Sequence, residues 1–238
     1  MNRPLVRRHT AATTKPARRT VLFAALLATL PMSVVSQAQV QETPRQPSLT
    51  AVPMPLPQKM PSLGCCRCLG GENTLDLSTI PSNPWRVNGQ PAALVASPNP
   101  AWAPASNPAK WISANAAATG GVNASYRYTL QFKVEKCTIP QTITLKGLAV
   151  AADNYYEVFL SGPGGNSPIV PCPSAAAATG HCFTPAGQLN NFAAWPVTVP
   201  GIYTLNVNVK NISGPTGMFI NALVEGRCTK EIVSPGKS

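Results

Sequence analysis

Eight carboxylates, two histidines and seven cysteines carry most of the reactive chemistry that this chain can offer, and their spacing decides what chemistry that is. Hydrolysis of glycosides needs two carboxylates at a fixed separation. Here Glu42, Glu72, Asp76, Glu135, Asp153, Glu157, Glu225 and Glu231 mostly stand alone. Glu135 and Glu225 fall on wet faces or ends of strand-like runs, and Asp153-Asn154 suits a turn because short polar side chains bond nearby backbone groups. His181 sits beside Cys182 with no Ser or Asp context resembling a nucleophile motif. Gly162-Pro163-Gly164-Gly165 follows a strand-like run but opens no helix, so it is no phosphate loop. The expectation is a protein that is not an enzyme, with no catalytic residue, no cofactor and no metal site.

The cysteines point to cross-links. Cys172 and Cys182 flank a short Ala-rich stretch and form the natural local pair, worth about 2–3 kcal/mol by chain entropy. Cys228 follows the last strand-like run and the Cys65, Cys66, Cys68 cluster precedes the first. Chain ends of a domain often lie close together, so the cluster is expected to bridge to Cys228 and, a second time, to Cys137. One thiol is then left over, free to stay buried or to link two copies of the chain. The rival reading is a metal site, but C-C-x-C lacks the paired C-x-x-C spacing that zinc uses.

Binding is the chemistry that remains. Sugars are held by aromatic faces together with amides and carboxylates, a mixed surface of the kind that ligand sites use. Trp85, Tyr155, Tyr156 and Trp195, with Asp153, Asn154 and Asn211 on turns, are the candidate contacts. Trp111 and Trp195 also suit a core, since both fall in strand-like settings. Alternation lets only one of Tyr155 and Tyr156 point inward. Tyr155 is out of register with Val158 and Leu160 and is the better contact.

These residues have to be positioned by a fold, and the first part of the chain is not part of it. Met1 to Arg19 holds six basic residues and no acid, Val21 to Val35 is almost wholly apolar, and Ser36-Gln37-Ala38 offers small residues for cleavage. This reads as a secretory signal peptide over 1–38. The apolar run is too short for the roughly 20 residues that span a bilayer, so no membrane span is expected after cleavage. Six of the 19 Lys and Arg lie in the leader and none of the 8 acids does, which leaves 13 against 8 and lowers the net charge from +11 to +5. The remaining cations are scattered, and an exported chain does not meet intracellular nucleic acid. Residues 39–63 hold six prolines and read as an extended linker. Residues 64–230 form the domain, and 231–238 a tail.

Within the domain the hydrophobic period is two. Tyr126, Tyr128, Leu130, Phe132 and Val134 alternate with polar residues, as do Tyr203, Leu205, Val207 and Val209. Thr142 to Ala152 alternates and then turns apolar throughout, as a strand covered on both faces would. Tyr155–Leu160 and Phe192–Val199 add further strands. Asn211 to Gly217 is a run of turn formers, so Tyr203–Val209 and Met218–Val224 are expected to pair as antiparallel neighbours. Nothing shows a helical period, and an all-β sandwich follows.

The succession Trp111-Ile112, Tyr128–Val134, AADNYYEVFLSG, a Phe/Trp strand and GIYTLNVNVKNISGPTGMFINALVEG resembles the galactose-binding-like jelly-roll sandwiches of secreted bacterial proteins. The likeness covers about Trp85 to Gly226. Ser161-Gly162 stands where those domains carry Asn-Gly, and Ile202-Tyr203 where they carry Asn. The resemblance implies a jelly roll that recognises a carbohydrate or a cell-surface partner through its loops. Structural calcium occurs in this type of sandwich, although the few acids here form no cluster. The expected function is therefore an exported, secreted or periplasmic binding module for a glycan or surface protein. The alternative is a structural or assembly protein of the cell envelope, with the spare cysteine joining copies into a homo-oligomer.

Overall fold

The computed structural model describes residues 59–228 apart from Cys68 and Pro140. The leader, the linker up to residue 58, Cys68 and the tail lie outside the described residues. In chain order the first strands are β1 Ser62–Leu63, β2 Glu72–Asp76, β3 Arg86–Val87, β4 Gln90–Pro91, β5 Ala93–Leu94, β6 Ile112–Ser113 and β7 Ser125–Val134. They are followed by β8 Gln141–Asp153, β9 Tyr155–Gly162, β10 Gly165–Asn166, β11 Val170–Pro171, β12 Leu189–Pro196, β13 Gly201–Lys210 and β14 Gly217–Cys228. A single four-residue helix, α1 Ser174–Ala177, is present among the described residues.

The strands make two sheets that pack as a sandwich. The first runs β10-β9-β13-β7-β3-β4, with β1 added to β7 and β11 to β9. The second runs β12-β8-β14-β6-β5, with β2 added to β14. Pairing is antiparallel except for β1, which lies parallel to β7. Because Ser62 and Leu63 pair with Lys133 and Val134, the sheet starts inside the segment expected to be linker.

Alternation builds the core. From the first sheet, Leu130, Phe132, Val158, Leu160, Leu205 and Val207 point inward; Leu145, Ile220 and Val224 meet them from the second, all nearly free of solvent. Burying each such side chain stabilises the fold by about 1.5–3 kcal/mol. The expected pairing of Tyr203–Val209 with Met218–Val224 is not what forms. β13 lies between β7 and β9 in one sheet, whereas β14 lies between β8 and β2 in the other. Asn211 to Thr216 therefore crosses between layers, as Asp153-Asn154 does between β8 and β9. Period two reports which face is buried, and it is silent about which strand lies alongside.

The outer face of the second sheet is covered as well. Trp102 and Trp111 stack with centroids 4.3 Å apart, and Trp111 meets Phe219 edge-on at 5.2 Å. Ala103, Ala109 and Ala118 complete this layer over Ala149 and Ala151, whose small side chains leave room for the indoles. That cover explains why β8 becomes apolar on both faces after Ala149.

Three disulfides close the domain: Cys65–Cys137, Cys66–Cys228 and Cys172–Cys182. The two ends are thus tied to each other and to the β7–β8 connection, in the arrangement the spacing suggested. Such bridges persist in oxidising compartments. No helix among the described residues is long and apolar enough to cross a membrane.

Candidate binding groove

Most of the residues that the sequence offered as contacts support the scaffold instead. Trp85 is 4% exposed, and its Nε1 donates to the Leu77 and Ser78 carbonyls, so its ring belongs to the core. Trp195 is buried beside Phe192. Tyr156 points inward with Val158 and Leu160, and its hydroxyl donates to the Gly187 carbonyl at 3.1 Å. Burial pushes that phenol far above its ordinary range. Asn211 is fully buried, and its Nδ2 donates to the Gly121 and Gly214 carbonyls, pinning the crossover between sheets. The Asn154 Oδ1 accepts from the Ile212 backbone N–H at 2.6 Å and ties the two crossovers together.

Asp153 closes β8 and is 4% exposed. Its Oδ2 accepts from Trp102 Nε1 at 2.9 Å, while Oδ1 has no partner among the described residues. Burial raises its pKa from 3.8 to about 6, against the smaller lowering effects of the Trp102 N–H and of His181. It holds the indole layer in place and is closed to a ligand from solvent. Of the seven candidates only Tyr155 lines an open surface without being buried.

That surface is the outer face of the first sheet. A groove of about 640 Å³ lies over β7, β13 and β9. Cross-strand register lines its polar side chains up in rows. Tyr155 faces Lys210, which faces Ser125; in the next row, Glu157 faces Asn208, which faces Arg127. One wall is the turn between β3 and β4, where the Asn88 N–H donates to the Arg127 carbonyl and Asn88 Oδ1 accepts from the Arg127 N–H. The other wall is Pro171, Cys172 and Ala177, in and beside the segment that the Cys172–Cys182 bridge closes. The Tyr155 hydroxyl lies close to Gly180, whose φ of 70° lets the clipped loop turn beside the ring.

A second groove of about 410 Å³ continues along the same face and shares Arg127 with the first. It is lined by Met60, Pro84, Arg86, Thr129, Gln131 and Thr204 as well. Between the two lies Asn206, fully buried although it belongs to the polar face. Its Oδ1 accepts from Arg127 Nε and Nη2 at 3.3 and 2.9 Å, and its Nδ2 donates to Ser161 Oγ and the Thr204 carbonyl. The carboxamide is fully used and fixes the guanidinium above it.

The groove therefore offers a carboxylate, an amide, two cations and a phenol, all on rigid strands, where geometry is held more tightly than on loops. Glu157, Asn208, Arg127 and Lys210 were not picked out as contacts from the sequence. The signal was there in the strict alternation of β7, β9 and β13, whose polar residues share one face. Reading it requires knowing that the three strands are neighbours. No cluster of three or more His, Cys, Asp or Glu suited to a metal ion occurs among the described residues. No protein-family model matches the chain, and comparison with curated proteins gives no match.

Proposed function

We propose that this protein is an exported, non-catalytic binding module that recognises a carbohydrate on the outer face of its eight-stranded sheet. The observation that carries the reading is the row Glu157–Asn208–Arg127, flanked by Tyr155 and walled by a disulfide-clipped loop. A carboxylate accepts sugar hydroxyls, a guanidinium donates to ring and hydroxyl oxygens, and an amide does both. A phenol ring at the groove's end packs on sugar C–H surface. The likeness to galactose-binding-like jelly rolls agrees with this, although the face of the sheet takes over the role expected of the loops. Export fits the three disulfides and the basic, apolar leader.

The test is a glycan array followed by affinity electrophoresis of the disulfide-bonded chain. Tyr155→Ala and Asn208→Ala should each weaken retention by the best glycan roughly threefold to tenfold, the loss of about 0.5–1.5 kcal/mol. Tyr155→Phe should keep most of the stacking. Retention by no glycan, or retention that neither alanine changes, would overturn the reading.

A further inference from the structure

The second groove narrows the ligand class, an inference that rests on the glycan reading above. β3 pairs Arg86 with Thr129, and Arg127 is two residues away from Thr129 on the same face of β7. The two arginines are thus diagonal cross-strand neighbours, with Cβ atoms about 7 Å apart. Each guanidinium is anchored along one side. Arg86 Nη1 donates to the Gly89 carbonyl at 2.8 Å, and Arg127 is bonded to Asn206. Neither arginine forms an ion pair among the described residues.

The lining of this groove contains no acid. Glu157 lies beyond Asn208, on the far side of Arg127 from β3. The nearest carboxylate along the chain, Glu135 just past the end of β7, is engaged by Lys133 at 3.0 Å. Two anchored guanidinium groups on one face, without an ion-pair partner among the described residues, keep N–H donors that suit a planar carboxylate. Beside them Thr129, Gln131 and Thr204 present hydroxyls and an amide suited to the remaining hydroxyls of a sugar ring. The adjoining groove leads on from Arg127, so a polymer has room to run across both.

We infer that the ligand is an acidic polysaccharide, with a uronate carboxylate seated between Arg86 and Arg127 and the neighbouring residues of the chain lying across Asn208 towards Tyr155. The experiment is isothermal titration of the disulfide-bonded chain with an oligogalacturonate, with the same oligosaccharide after reduction of its carboxyl groups, and with inorganic polyphosphate. The oligogalacturonate should bind tenfold or more tightly than its reduced form, since a hydrogen-bonded charge pair is lost. Added salt should shrink the difference.

Arg86→Gln, a substitution at an exposed side chain, should bring the two oligosaccharides to similar affinity. Arg127→Lys keeps the charge but not the fork and should fall between. Equal binding of both oligosaccharides by the unaltered chain would sink the acidic assignment while sparing the glycan reading. Polyphosphate bound as tightly as oligogalacturonate would overturn it in favour of an unselective cationic patch. Failure to bind any saccharide would remove both readings together.

Discussion

Asp153→Asn tests whether the join between the sandwich and its tryptophan cover is understood. The carboxyl is buried, one oxygen is bonded to Trp102 and the other has no partner among the described residues. Burial therefore outweighs that hydrogen bond and raises the pKa from 3.8 to about 6. Below the unfolded value both states are protonated and the group contributes nothing. Between 3.8 and 6 the folded chain keeps a proton that the unfolded chain has lost, so stability falls as pH rises.

Above about pH 6 the penalty is complete. A rise of two units sets a ceiling of about 3 kcal/mol, and partial screening by solvent lowers this to about 1–2 kcal/mol. Asparagine keeps an oxygen for the indole N–H and cannot ionise. Urea unfolding followed by tryptophan fluorescence at pH 4.5 and 7.5 should show the unaltered chain losing about 1 kcal/mol more than Asp153→Asn over that interval, since about a third of the penalty is already present at pH 4.5. Glu135 and Glu225, held low by Lys133 and by Lys146 with Arg227, act in the opposite direction at lower pH and cancel in the comparison. Identical pH dependence in the two proteins would refute the argument.

The Cys172–Cys182 bridge closes a loop over 10 residues of sequence separation, so replacing both cysteines by serine should cost about 2–3 kcal/mol by the chain-entropy estimate. Because that loop walls the groove, glycan retention should fall as well, which titration of the still-folded variant would measure. Gly162→Ala should destabilise by about 1–3 kcal/mol, the usual cost of overpacking, as read by thermal unfolding. An added Cβ at Gly162 would enter the ring of Tyr203, which stacks on Phe132 at 5.7 Å.

That last contact joins the two places where the sequence departs from the jelly-roll pattern it resembles. Ser161-Gly162 and Ile202-Tyr203 looked like separate losses of polar turn residues. In the fold they are one packing unit, with Tyr203 filling the space over Gly162 and its hydroxyl donating to the Val199 carbonyl at 2.6 Å. The sandwich itself was legible because each long strand alternates cleanly and the doubly apolar end of β8 announces a covered face. The disulfide pattern was legible because chain ends meet and short loops close on themselves. The partner of each strand was not legible, and the error over β13 and β14 follows from that alone.

The site was hidden for the same reason. A tryptophan or an aspartate stands out in a sequence because it is costly to place, and costly residues are most often spent on structure. Trp85, Trp195 and Asp153 are all taken up by core packing or buried hydrogen bonds. The groove is built from ordinary strand-surface residues, each unremarked along its own segment. Asn208 acquires meaning only when Glu157 and Arg127 are set on either side of it, and Arg127 only when Asn206 holds it and Arg86 stands diagonal to it. The proposed binding face, spread over four strands that are distant in sequence, can be read only from the register that unites them. Substitutions of its exposed members Glu157 and Arg86 should leave stability largely intact, whereas loss of Arg127 orphans the buried Asn206 oxygen at a cost of about 1–3 kcal/mol.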